Sequence, residues 1–339
     1  MVGLSAAHPD NPASLVDGAR PVNLRTDLGP LADLIEIAFS STMDSSGRAA
    51  VREMRALSRM GAGLNLLSNL NDLAQGMGTG FVYVADGRLV GNVSTYPADS
   101  SGPLKDDWVI VNVATHPDYR GRGIAHLLMQ DTLTMIRKRG GRAALLQVDA
   151  DNPTARRLYQ RLGFYEERGW TTWRRNAAHA RVPELELVPP HIVHPQAGEW
   201  RSEYALADYL RPQNMGGMGW LRPLTEARFN RTFWQQISDF FSLRSQEKLY
   251  IRSKDERHVL ASLWIESGFT LSATKLTLLV HPDYEGYYDE VLINTAVNRF
   301  GGSAISIEHP ADRSTTNGIL RRYGFSTRRD VIHMRAALR

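Results

Sequence analysis

The sequence contains no cysteine, which excludes disulfide staples, a thiolate nucleophile and any cysteine-ligated zinc. It also lacks any window near the ~18–20 uninterrupted apolar residues of a membrane-spanning helix. Residues 1–20 have neither the basic start nor the apolar core of a secretory signal, and they are expected to form a flexible leader. Charge of one sign is scarce: 40 Lys and Arg against 36 Asp and Glu leave a net charge of +4. No dense basic run with interleaved aromatics occurs, so a nucleic-acid partner is not expected, and the mild excess suits any polyphosphate ligand equally well. These absences fit a cytoplasmic protein with no membrane partner. What is present is ordinary for a globular chain, with 42% hydrophobic and 22% charged residues over 339 positions. At roughly 150 residues per domain, that length predicts two.

The chain repeats itself once. His116-Pro117-Asp118-Tyr119 recurs 165 residues later as His281-Pro282-Asp283-Tyr284, and Arg161-Leu162-Gly163-Phe164 is echoed 161 residues later by Arg322-Tyr323-Gly324-Phe325. Either echo alone would be weak, since His-Pro-Asp is a common turn and Gly-Phe a common helix ending. Two echoes in the same order at nearly the same spacing point to two copies of one ancestral fold. The expected division is a leader over 1–20, a first domain over 21–176, a linker over 177–199 and a second domain over 200–339. Pro183, Pro189, Pro190 and Pro195 mark the linker. His191 and His194 fall there without a third ligand, so no metal is expected.

In the first domain the pattern predicts a strand at 22–25, a helix over 31–39 and a hairpin of 81–85 with 89–94 around Asp86-Gly87. A strand over 109–115, a helix, a strand over 143–148, a second helix and a strand near 170–174 follow. Strands interleaved with helices indicate an α/β domain with a mixed sheet. The aromatic stretch Phe229, Phe233, Trp234, Phe240 and Phe241 is expected to be core, and the Gly- and Met-rich run 214–219 a loop near the site.

Chemistry concentrates after the strand ending at Thr115. The chain turns at His116-Pro117, runs Arg120-Gly121-Arg122-Gly123-Ile124-Ala125 and enters a helix at once, with Ile124, Leu127, Leu128, Met135 and Ile136 at helical spacing. Asp131 and Thr132 interrupt that stripe. Glycines at 121 and 123 let backbone N–H groups approach a ligand closely. The helix start adds unpaired amides and partial positive charge, and Arg120 and Arg122 add full charges; this is the chemistry of a phosphate site. A plain glycine turn with two solvated arginines is the competing reading. No Gly-Lys-Ser/Thr follows, so the pattern is not a Walker loop.

Further on, Asn152 and Pro153 form a strong helix start, and Gly163 a helix end. Tyr159 lies seven residues beyond Asn152 on the same face, about 10.5 Å along the axis. Ala155 and Leu162 share that face, so the residues alone favour a packing role for Tyr159.

Residues 111–164 resemble the core of the GNAT superfamily of acyl-CoA-dependent N-acyltransferases. The family's Arg/Gln-x-x-Gly-x-Gly/Ala signature is matched by Arg120, Gly123 and Ala125, and its Asn-x-x-Ala-x-x-x-Tyr-x-x-x-Gly-Phe pattern by Asn152, Ala155, Tyr159, Gly163 and Phe164. The resemblance implies two tandem GNAT-like α/β domains, each a mixed, mostly antiparallel sheet flanked by helices. It implies acetyl-CoA as co-substrate, with the pyrophosphate on the amides and guanidiniums of Arg120, Gly121, Arg122, Gly123, Ile124 and Ala125. Backbone groups of Val113, Ala114 and Thr115 would meet the pantetheine arm, Asn152 would contact CoA, and Tyr159 would stand beside the thioester sulfur as catalytic acid. The implied reaction is N-acetylation of a primary amine, on a small molecule or peptide, by direct attack in a ternary complex. A CoA-binding sensor or scaffold without catalysis is the alternative, and a homodimer stays open. No general base is legible: the position some members use is Val109, Asp106 and Asp107 precede the strand, and water is a further option.

The second copy departs from the signature. Aligned on the repeat, Arg120 becomes Glu285, Arg122 becomes Tyr287, Gly123 becomes Tyr288 and Ala125 becomes Glu290. Leu320 stands for Tyr159 and Arg313 for Asn152. Acid replaces base and bulk replaces glycine, so this domain is expected to keep the fold without a CoA site.

Overall fold

The computed structural model describes residues 17–40, 43, 45–60, 79–98, 106–177, 182–186, 189–210, 224, 226–230, 244–268 and 273–338. Expectations for residues 1–16, 214–219, Phe233, Trp234, Phe240 and Phe241 lie outside them. The chain divides into two compact units, one of residues 1–96 with 110–141, the other of 97–109 with 142–339. These units do not follow the sequence repeat.

The first unit opens with β1 (Gly18–Pro21), α1 (Leu24–Ala38) and α2 (Ser45–Met60). The strand thus begins inside the segment expected as a leader and ends before the segment expected as a strand. Local polar chemistry explains the shift. Asn23 caps α1 by accepting from the Arg25 amide at 3.1 Å. Buried Asp27 takes the Asn23 amide at 2.7 Å and both Arg20 Nη atoms at 2.7 Å each, bending the chain into helix directly after β1. Pro30, directly before the expected helix over 31–39, is accommodated inside α1. One face of α1 (Leu28, Leu31, Ala32, Leu34, Ile35) packs with Val51, Met54, Val82, Leu89 and Ala114.

The hairpin forms from β2 (Gly80–Ala85) and β3 (Arg88–Pro97). Its turn residues Asp86 and Gly87 take φ of 51° and 69°, as a type I′ turn requires. β4 (Asp107–Thr115) follows, and the strands of this unit run in the order β1-β2-β3-β4. α3 (Ile124–Lys138) then lies against β3. A side chain at Gly91 would come within 2.6 Å of Ile124 Cγ2 and 3.1 Å of Leu128 Cδ1, so the bare glycine lets the first turn of α3 seat on the sheet. The interrupted stripe on α3 is resolved by Thr132, which is buried and donates its hydroxyl to the Leu128 carbonyl at 2.8 Å.

The second unit contains β5 (Ala143–Asp149), α4 (Pro153–Arg161), β6 (Tyr165–Arg175), β7 (Ile192–Val193), α5 (Trp200–Leu210), α6 (Glu226–Phe229), β8 (Arg244–Arg252), β9 (Val259–Gly268), β10 (Thr274–Val280), α7 (Tyr288–Phe300), β11 (Ile305–Pro310), α8 (Ser314–Arg322) and β12 (Ser326–Ala337). β7 falls within the stretch expected as linker and pairs with β8. The strand order is β5-β12-β6-β11-β10-β9-β8-β7. The pairs are antiparallel except β10 with β11.

That order records an exchange. β12, the last strand of the second sequence copy, pairs along β5 of the first copy, with Val331 opposite Asp149 through Ala337 opposite Ala143. β6, the last strand of the first copy, pairs along β11 of the second, with Trp170 opposite Pro310 through Arg175 opposite Ile305. β6 and β12 also pair with each other. Each copy therefore lends its final strand to the other. The core beneath, Leu276, Leu278, Leu292, Ile293, Ile305, Ile307 and Leu320 with Trp173 of β6, is apolar and fully enclosed. Phe229 lies in a second cluster with Leu206, Tyr250 and Trp264.

Candidate active site

The loop after β4 has the geometry its sequence predicts. The His116 amide donates to the Val90 carbonyl at 2.8 Å, and the residue caps a short turn over 117–119, its Nδ1 accepting from the Asp118 amide at 3.3 Å. Gly121 and Gly123 take φ of 78° and 77°, left-handed values that favour glycine. Nothing lies within 4 Å of a Cβ built at either position. Gly123 is the N-cap residue of α3, and no side chain caps that helix. Arg120 and Arg122 are exposed beside it. Arg122 stacks over the Tyr119 ring at 4.6 Å and donates to the Asp118 carbonyl at 3.2 Å, while Tyr119 is anchored through its hydroxyl to Asp86 at 2.8 Å. Uncapped amides, open space over two glycines and two solvent-facing guanidiniums suit a diphosphate. The Ile124 side chain points into the core over Gly91, so its backbone is what remains for a ligand.

One feature of β4 was not legible in the sequence. Asn112 adopts φ of 52° in mid-strand, an uncommon conformation for a residue other than glycine. Its carbonyl is held by Asn92 Nδ2 at 2.8 Å, and the same amide reaches Ser94 Oγ at 3.0 Å. Buried Asn92 on β3 is the only trace of this in the residue pattern. The kink comes directly before Val113, Ala114 and Thr115, the backbone expected to meet a pantetheine arm.

Asn152 and Tyr159 belong to the second unit. Asn152 caps α4, its Oδ1 accepting from the Ala155 amide at 3.0 Å, which is its expected structural role. Tyr159 is the buried residue of α4, 6% exposed, with its ring 5.9 Å from Phe164. Burial, reinforced by the Asp149 charge, pushes the Tyr159 phenol well above its ordinary value. A phenol this hard to ionise acts as a hydrogen-bond donor.

The aspartates weighed as bases are both engaged. Asp106 pairs with Arg142 at 3.1 Å and Asp107 with Arg335 of β12 at 2.8 Å. Val109 is buried.

The second loop repeats the backbone of the first. The His281 amide bonds the Leu260 carbonyl at 2.8 Å, its Nδ1 accepts from the Asp283 amide at 3.4 Å, and Gly286 takes φ of 93°. Its helix start, however, carries an anion of its own. Asp289, fully buried, accepts from the Gly286 amide at 2.7 Å, the Glu290 amide at 3.0 Å and Thr316 Oγ1 at 2.7 Å. Glu285 pairs with Arg313 at 2.9 Å, and Glu290 with Arg322 at 2.5 Å. Tyr284 and Tyr288 stack with centroids 4.5 Å apart. Of the groups aligned with Arg120, Arg122, Gly123 and Asn152, Glu285 pairs with Arg313, and the rings of Tyr287 and Tyr288 lie 5.1 Å apart.

Among the described residues no cluster of His, Cys, Asp or Glu is arranged to hold a metal ion, and no helix is long and apolar enough to cross a membrane.

Comparison with known proteins converges on this region. Residues 52–164 match the model of the acetyltransferase (GNAT) family. Over 162 residues the chain is 29% identical to a mycothiol acetyltransferase of Nocardia farcinica, covering 47% of this chain and 50% of that protein. The chain spans about half the length of the curated relatives it matches. A GCN5-related N-acetyltransferase from Sphaerobacter thermophilus superposes with a TM-score of 0.63 at 18% identity, over 95% of each chain. A tandem GNAT protein from the clavulanic acid biosynthesis pathway does so with a TM-score of 0.56 at 12% identity, over 95% of this chain and 98% of that one. At such identities the two structures speak for the fold, and they extend it over both sequence copies.

Proposed function

Residues 52–164 place the chain in the acetyltransferase (GNAT) family, and from that premise we propose that the first copy transfers an acetyl group from acetyl-CoA to a primary amine of a small molecule or peptide. The observation that carries this reading is the uncapped start of α3, with left-handed glycines at 121 and 123 between Arg120 and Arg122. In this proposal the amides of residues 121–125 and the two guanidiniums hold the CoA diphosphate. The backbone of Val113, Ala114 and Thr115, directly after the Asn112 kink, bonds the pantetheine arm, and Asn152 contacts CoA. A backbone N–H beside the kink stabilises charge developing on the thioester oxygen.

The chemistry needs no covalent enzyme intermediate. The amine nitrogen attacks the thioester carbon, a C–N bond forms, the C–S bond breaks, and the amine's proton ends on the departing sulfur. Tyr159 donates a hydrogen bond to that sulfur. A free phenol at ~10 is already a weaker acid than a thiol at ~8.5, by about 2 kcal/mol, and burial of Tyr159 widens the gap. Tyr159 therefore stabilises the leaving group without giving up its proton. The amine enters neutral, and a water relay carries the proton it loses on bond formation to the sulfur. The second copy, whose helix start is filled by Asp289, binds no CoA.

The test is calorimetric titration with acetyl-CoA, followed by detection of free thiol across a panel of amines. Heat with thiol release supports the proposal. Heat without release from any amine would make the chain a CoA-binding sensor or scaffold, and absence of heat would remove the CoA site altogether.

A further inference from the structure

β3 and β9 are equivalent strands of the two copies, and their polar residues are turned to different ends. In each copy the loop histidine amide donates to a carbonyl of that strand, His116 to Val90 and His281 to Leu260. This shared bond aligns Asn92 and Ser94 with Ser262 and Trp264. In the first copy, buried Asn92 donates through Nδ2 to Ser94 Oγ at 3.0 Å and to the Asn112 carbonyl of β4 at 2.8 Å. In the second, buried Ser262 and Trp264 both donate to the Glu203 carboxylate of α5. The repeat aligns Asn112 with Thr277 of β10, which stands opposite Trp264 in an unbroken β9–β10 register. Outside glycine, the positive φ values among the described residues belong to Asp86, Asn112 and Glu256, so β10 is not kinked at Thr277. The copy whose loop is filled by Asp289 has neither the amide grip nor the kink.

A left-handed residue other than glycine is held against a backbone cost. Asparagine tolerates that conformation better than most residues, but nothing in a strand supplies it unaided. One hydrogen bond to a carbonyl is of the same order as the cost, so the Asn92 amide is enough to decide whether β4 bends at 112. A side chain unable to donate would leave the Asn112 carbonyl short of a partner in the kinked form and favour the regular strand. The bend lies one residue before Val113, so its loss would re-aim the backbone groups that follow, up to Thr115.

We propose that Asn92 is a positioning residue of the acetyl-transfer site. By holding the Asn112 carbonyl it maintains the kink of β4, and thereby aims the backbone of Val113, Ala114 and Thr115 at the pantetheine arm. Asn92 acts only through Asn112. The inference rests on the acetyltransferase reading and extends that site to a residue outside the stretch 111–164 whose motifs mark the family.

The experiment uses the full chain, with calorimetric affinities for two ligands and free-thiol release as readouts. The ligands are acetyl-CoA and 3′-phospho-ADP, which shares the nucleotide and lacks the arm. Asn92→Leu keeps the branched shape and loses the donor. It is expected to weaken acetyl-CoA about tenfold while 3′-phospho-ADP is unchanged, and to lower kcat about tenfold as well. Adding Asn112→Gly is expected to return the ratio of the two affinities to within about threefold of wild type, because glycine takes a left-handed φ without hindrance. Each ratio is measured within one protein, so a general loss of rigidity, which weakens both ligands, cancels. Circular dichroism and Tm establish that each variant is folded. Should Asn92→Leu not fold, Asn92→Ser, which carries the residue of the second copy, takes its place under the same criteria. A wild-type ratio in the folded variant, or a loss that Asn112→Gly leaves uncorrected, overturns the positioning role. If acetyl-CoA binds but no amine releases thiol, the acetyltransferase reading fails while the affinity ratio still decides the part played by Asn92. Absence of heat with acetyl-CoA overturns both.

Discussion

The loops at 120–125 and 285–290 share a backbone and differ in what fills it. Both follow a strand, both use a histidine to cap a short turn, and both hold a glycine at positive φ. At neither does the N-cap residue cap the helix through its side chain, but at the second Asp289, within the first turn, supplies a carboxylate to the Gly286 and Glu290 amides and to a threonine hydroxyl. The aligned residue in the first copy is Ile124, turned inward over Gly91. A helix start draws in negative charge from whatever source reaches it. The pair of loops presents one backbone with two contents, open glycines between guanidiniums in the first and an internal carboxylate in the second. The fold survives the change because Asp289 keeps those amides satisfied.

The comparison breaks most sharply if the first loop is given the second loop's bulk. Gly123→Tyr puts a large side chain at φ of 77°, and acetyl-CoA affinity measured by calorimetry is expected to fall by about 100-fold or more, roughly 3 kcal/mol. Near-native affinity in that variant would place the diphosphate elsewhere. The reciprocal change removes the internal anion. Asp289→Ala strands the Gly286 amide and Thr316 hydroxyl and should cost about 2 kcal/mol of stability in denaturant titration, without creating a second CoA site; binding of two CoA molecules per chain would refute the account of that loop. Tyr159→Phe is expected to lower kcat about tenfold at unchanged acetyl-CoA affinity, as loss of one hydrogen bond to developing charge predicts, whereas unaltered turnover would take Tyr159 out of the mechanism. Arg122→Ala should produce the smallest effect, about threefold weaker acetyl-CoA binding that shrinks further in high salt, since an exposed guanidinium is largely screened. An effect independent of salt would mean that Arg122 works through its stacking on Tyr119.

Much of this was legible because it is local. Asp86-Gly87 dictated a turn, Asn152-Pro153 a helix start, and Gly121 and Gly123 a left-handed loop, each through the conformational limits of a few adjacent residues. The repeat announced a doubled fold through two short echoes. What the sequence hid is long-range or cooperative. The Asn112 kink depends on Asn92, twenty residues away. The helix α1 starts earlier than expected because Asp27 reaches back to Arg20 and Asn23. The exchange of β6 and β12 leaves no mark in periodicity, because a strand shows the same alternation whichever neighbour it pairs with. The ion pairs of Arg335 with Asp107 and Glu167 follow from that exchange.

The exchange also governs how the chain can be made. Gln147 and His333, partners across β5 and β12, are 186 residues apart, and pairing at such separation forms late and slowly. During synthesis the open edge of β5 has to wait for nearly the whole remaining chain before its permanent neighbour emerges from the ribosome. An early stop or a gene fission between the copies would leave both pieces with an exposed strand edge prone to aggregation. The two copies are thereby bound to a shared fate: whatever chemistry either carries, neither completes its sheet without the other's last strand.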